Sequence, residues 1–223
     1  MTPDSVLDFW FPDDGHWTEL GRHREFWRWR MTGCADRKII DDYADVTEAA
    51  ARGQLDHWAE TPRGRLALVI ALDQFPRSYW RNRPEAFGQD IKTTRLVIDA
   101  MKNGFYDALP TPWEKLFCII AVSHCEGPDH LARMDLCVDA TRKLVDEAPA
   151  QLRPMYVGAV DQNLLVRSII ERFGRHPHRN AVLGRITTDA ERDYVARGDF
   201  PHQREIPGST AESGAAPSKA GMV

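Results

Sequence analysis

The sequence predicts an all-α fold built from stacked antiparallel helical hairpins, and three observations carry that reading. TPRGRLALVIAL, opening at Thr61, returns fifty positions later as TPWEKLFCIIAV, opening at Thr111, with five of twelve positions identical. Upstream of the two copies, Gly53-x-x-Asp56 matches Gly104-x-x-Asp107 with a one-residue slip. Each unit therefore reads as helix, Gly stop, Thr-Pro start and apolar helix, and such units bury a face only against their neighbours. Finally, no stretch alternates apolar and polar residues between turn signals, so no sheet is expected.

Taken in chain order, Asp4 or Ser5 is placed to cap a short helix carrying Val6, Leu7 and Trp10, and Phe26-Trp27-x-Trp29 belongs to a second. Asp36 is expected to cap a third, with Ile39, Ile40, Tyr43, Val46 and Ala50 at helical spacing up to Gly53. Thr61 caps the first repeat helix, with Pro62 where a missing N–H costs nothing, and Pro76 is expected to stop it near Phe75. A helix from about Glu85 to Lys102 follows, then the second Thr-Pro helix from Pro112 to about Cys125. Three more are expected: Asp129 to about Glu147, Pro154 to Phe173, and a short one that Thr188 caps and Gly198 ends.

At 223 residues the chain suffices for one domain with its own core. Residues 1–200 are expected to form it, and the Gly/Ser/Ala/Pro-rich 201–223 to be a disordered tail. A net charge of -4 argues against a nucleic-acid or membrane-surface partner. MTPDSVLDFWF has no basic leader region, and no window is long and apolar enough to span a bilayer. Four cysteines without CxxC spacing suit a reducing cytoplasm.

Chemistry concentrates in three segments. Steps of four lead from Leu66 and Ile70 to Gln74, and from Leu116 and Ile120 to His124, so both polar groups sit where an apolar stripe meets a helix end. Asp73 also points toward the buried side and must be paired there; Arg77, four residues on, is its nearest cation. The pair is either a structural lock or part of a site. His124 and Glu126 lie close enough to be acid/base partners, although a single His on an apolar face also serves as a hydrogen-bonded core residue. No compact metal-ligand spacing is present, so no metal or other cofactor is expected. The third segment gathers Arg175, His178, Arg179 and Asn180 on a turn shaped by Gly174 and Pro177, with arginine forks suited to carboxylate or phosphate. A solvated, ion-paired surface is the alternative for that cluster.

VLDFWF at 6–11, GRLALVIALDQFPR at 64–77, HxE at 124–126 and RFGRHPHRNAVLGR at 172–185 resemble the bacterial family known as domain of unknown function 924 over nearly all of residues 5–200. The chain departs from that family's LDQFPRN, HSE and RFGRFPHRN patterns at Ser78, Cys125 and His176. Cys125 removes the hydroxyl that a serine-nucleophile reading would need. The resemblance implies a right-handed, tetratricopeptide-like α-α superhelix, with a unit longer than the usual ~34 residues; it implies no reaction.

Three functional readings follow. The leading one is a pocket for a small anionic molecule, lined by the residues named above. A second makes that pocket an enzyme site of hydrolase- or lyase-like acid/base chemistry, with His124 or His178 as general base, Glu126 orienting it or holding a metal, and the arginines binding the substrate anion. In a third, the concave face of the repeats binds a peptide.

Overall fold

The structure, a computed structural model, describes residues 1–198. The tail expected over 201–223 lies outside those residues. Among the described residues there are ten α-helices, five short 3-10 turns and no strand, so the fold is all-α. No helix among them is long and apolar enough to cross a membrane.

The first helix, α1 (Pro3–Trp10), is capped by Thr2 rather than by Asp4 or Ser5: the Thr2 hydroxyl accepts the Ser5 N–H while the Ser5 hydroxyl takes the Thr2 N–H. Next come α2 (Leu20–Met31), α3 (Asp36–Asp42) and α4 (Ala44–Ala51). The single helix expected from Asp36 to Gly53 breaks at Tyr43, because tertiary contacts claim that residue. Its ring stacks on Phe9 at 4.7 Å and its hydroxyl donates to the Ser5 carbonyl at 3.0 Å. Asp36 does not cap; its carboxylate accepts from the Ser78 hydroxyl at 2.6 Å and pairs with Arg81.

Both repeat helices start as their sequence dictates. Thr61 caps α5 (Pro62–Tyr79) by accepting the Gly64 N–H at 3.2 Å, and Thr111 caps α7 (Pro112–His124) by accepting the Glu114 N–H at 3.3 Å. At Gly64 an added Cβ would lie 2.3 Å from the Trp58 carbonyl oxygen, so only glycine lets the chain approach this closely.

Pro76 does not end α5, which continues one more turn to Tyr79. Proline deprives the preceding turn of a donor, at a cost of about 3 kcal/mol. The Arg77 guanidinium donates to the Asp73 carbonyl at 2.5 Å, a further bond across the turn that contains Pro76. Burial from Leu66 through Pro76 adds the rest, each fully buried large side chain contributing roughly 1.5–3 kcal/mol. The longer helix carries Arg77 on the same face as Asp73.

After α5 the chain makes a 3-10 turn at Pro84–Phe87, so α6 (Asp90–Asn103) begins later than the expected Glu85. The remaining helices are α8 (His130–Glu147), α9 (Arg153–Phe173) and α10 (Asp189–Arg197), the last capped by Thr188 as predicted. From α5 onward neighbours in sequence are neighbours in space: α5 on α6, α6 on α7, α7 on α8 and α8 on α9. The central α5 also packs on α1, α3, α4 and α7, which accounts for its burial on every side. The N-terminal aromatics form core, with Trp10 edge-on to Phe75 at 5.8 Å and to Phe117 at 5.6 Å.

Candidate functional site

The packing of α5 against α7 brings the two polar helix ends together. His124 Nδ1 lies 2.9 Å from Asp73 Oδ1 and 3.2 Å from Oδ2. Gln74 Nε2 donates to Asp73 Oδ2 at 2.5 Å, and Arg77 pairs with Oδ1 at 3.0 Å. Asp73 is 1 % exposed. Burial alone would raise its pKa, but the charges of Arg77 and His124, with hydrogen bonds from His124 and Gln74, hold it well below the usual carboxylate range. Burial and the Arg77 charge push His124 down, outweighing the upward pull of Asp73. The result is an ionised Asp73 orienting a neutral His124 at neutral pH.

From this pair a chain of alternating charges crosses to two further elements. Arg77 reaches Asp90 Oδ1 at 2.8 Å, and Arg179 holds Asp90 Oδ2 at 3.0 Å. Asp90 stands in the first turn of α6, where the helix dipole favours a carboxylate. Arg179 is delivered by the 3-10 turn Pro177–Arg179, which follows the left-handed Gly174 at the end of α9. Phe87 completes the cluster, with the Arg179 guanidinium 4.4 Å and the Arg77 guanidinium 5.7 Å from its ring centre.

A cavity of about 650 Å3 opens beside this cluster, within the usual size of a ligand site. Gln74, Arg77, His124, His178 and Arg179 line its polar end. Trp27, Phe87, Leu116, Ile120, Met155 and Val166 line its apolar walls. Arg24, Arg28 and Arg81 also border it, whereas among the described residues no Asp or Glu does. His178 is pushed down to about 3, by burial first and then by Arg179 and His124, so it too is neutral at neutral pH.

Four of the sequence-predicted residues lie elsewhere. Asp73 stands one layer back, behind His124. Glu126 does not orient His124: it pairs with Arg185 and accepts the His176 N–H at 2.7 Å. Asn180 accepts from the same Arg185 at 3.0 Å. Arg175 turns away to a two-pronged pair with Glu191, at 2.7 and 2.9 Å. These three lock the loop that carries His178 and Arg179. No thiol lines the cavity, and Cys118 is driven up to about 12 by burial. Among the described residues no group of three or more His, Cys, Asp or Glu side chains is arranged to hold a metal ion.

The profile of a bacterial protein family of unknown function, DUF924, matches residues 6–199. The chain belongs to this family. Among solved structures, the chain is similar to a protein of unknown function from Agrobacterium tumefaciens, 29% identical over 88% of this chain and 97% of that one, with a TM-score of 0.66. No curated protein matches the chain.

The sequence reading of this DUF924 protein missed Asp90 and Phe87, and with them the whole contribution of α2. On α2, Arg24, Trp27, Arg28 and Met31 follow an i, i+3, i+4, i+7 pattern and present one face to the cavity. That spacing is legible, but aromatic and charged residues surround it on every side of a helix that shows no clean stripe.

Proposed function

We propose that this DUF924 protein binds a small anionic molecule in the cavity between α2, α5, α7 and α9. One observation carries the reading: among the described residues, five arginines border the cavity and no carboxylate does. Three of the five are balanced from behind, Arg77 by Asp73 and Asp90, Arg81 by Asp36, and Arg179 by Asp90. Arg24 and Arg28 are exposed and have no ionic partner among the described residues, so they supply the surplus positive charge. Arg179 Nε and Arg81 Nη1 are buried without a hydrogen-bond partner, donor capacity that the protein does not use itself.

Titration calorimetry with acetate and inorganic phosphate tests this. Saturable binding is expected, weakened about 2–10-fold when Arg24 and Arg28 are both replaced by Ala, as befits two solvent-exposed charges. Equal binding of methylammonium, or no saturable binding of either anion, would overturn it.

The Asp73–His124 pair supports a second reading, acid/base catalysis on the bound anion. A buried carboxylate on Nδ1 fixes the tautomer, so proton exchange with a ligand would run through Nε2. Asp73, not Glu126, is the orienting group in this version. The tetratricopeptide-like stack and a cytoplasmic location belong to the same proposal. They are supported by the successive packing of α5 to α9 and by four free cysteines, three of them buried.

A further inference from the structure

We infer that the anion is amphipathic: a carboxylate or phosphate head joined to a hydrocarbon body, chain or ring, that lies along α7 and α9. This rests on the anion-binding reading and adds the class of molecule. The cavity is divided along its length. On α7 the face that ends in His124 carries Ile120 and Leu116 at successive steps of four, so the polar end passes directly into an apolar wall. The opposite wall comes from α9, where Met155, Ala159 and Val166 face the same space, and Trp27 of α2 closes the side.

A free phosphate or a short carboxylate would use only the polar end and leave water against Leu116, Ile120, Met155 and Val166. Such a cavity satisfies its lining only when the occupant carries apolar surface with the charge. Small residues keep the space open. Gly158 and Ala159 lie adjacent on α9, and a Cβ built on Gly158 meets nothing within 4 Å. A glycine in the interior of a 21-residue helix weakens it, and Gly158 leaves that stretch of the cavity wall without a side chain.

The test is a calorimetric series on the full chain: acetate, butyrate, hexanoate and octanoate, with octyl phosphate, octanol and octyltrimethylammonium at the longest length. Affinity is expected to rise about fourfold per added methylene, the transfer free energy of a buried CH₂. Octyl phosphate should bind alongside octanoate, octanol at least about tenfold more weakly, and the cation not at all. If acetate binds as tightly as octanoate, the amphipathic inference fails while the anion reading survives. If octanol equals octanoate, the anion reading fails as well. Gly158→Phe, with Ala159→Leu as a second blocked variant, locates the effect. Either should cut octanoate affinity at least about tenfold and leave acetate binding unchanged, with the helical circular dichroism preserved. Octanoate binding untouched by both would place the chain outside this cavity and overturn the inference.

Discussion

Asp73 Oδ1 and His124 Nδ1 meet at 2.9 Å across the packed ends of two helices that repeat each other in sequence. The repeat register makes Gln74 the counterpart of His124, and Asp73 the counterpart of Ser123. The acid of one copy and the base of the other therefore stand one position out of register, and fold and site share one contact.

The two partners of that contact are not equal in stability. Asp73→Ala leaves Arg77 with one carboxylate fewer in a buried setting and should cost about 3–5 kcal/mol, the usual penalty for breaking a buried ion pair. His124→Ala leaves Asp73 held by Arg77 and Gln74 and should cost at least about 1 kcal/mol less. Urea denaturation of both single variants and the double variant measures the difference. Equal costs would mean that Arg77 does not depend on Asp73.

Gly64 and Gly158 should respond in opposite directions to the same change. Gly64→Ala forces a Cβ against the Trp58 carbonyl and should destabilise by about 1–3 kcal/mol. Gly158→Ala adds a methyl group to open space in a helix interior and should stabilise by about 0.5–1 kcal/mol. Thermal midpoints of the two variants check both signs at once.

Stability should fall as pH drops below about 6.5. His16, His23 and His130 are lowered to about 4 and His178 to about 3, in each case by burial first, so the unfolded chain takes up protons that the folded one refuses. The contribution is fully present above pH 6.5 and is lost progressively toward the folded values, by at most about 1.4 kcal/mol per pH unit for each histidine. His16 and His23 face each other Nδ1 to Nδ1 at 2.9 Å. His23 Nε2 accepts from Trp27 Nε1 at 3.1 Å, which makes His23 the donor of the pair. Protonating His16 therefore sets donor against donor. Denaturation midpoints from pH 8 to 4 should show the decline, with a shallower slope in His16→Gln; a flat profile would contradict it.

Local chemistry was legible and long-range pairing was not. Thr61 and Thr111 announce their helices because a cap and a proline at the first position act within four residues. The run of α5 past Pro76 was hidden because the burial that sustains it comes from tertiary packing. Glu126 looked like the partner of His124 because the two are adjacent in sequence. The fold hands it instead to Arg185, which no periodicity announces. Arg175 and Arg179 look alike in one short run of sequence, yet one leaves for Glu191 and the other enters the cavity. The convergence of α5, α7 and the 177–179 turn was expected from the repeat, whereas the arginine face of α2 needed the fold to be seen.

The claim on which the account stands is that an anion enters the arginine-bordered cavity. It is tested most directly by following arginine Nε–Hε resonances during titration with acetate and inorganic phosphate. The account predicts saturable shifts of Arg77 and Arg179, with the exposed Arg37, paired with Asp41 on α3, unchanged. Shifts confined to exposed arginines such as Arg37, with Arg77 and Arg179 still, would contradict it.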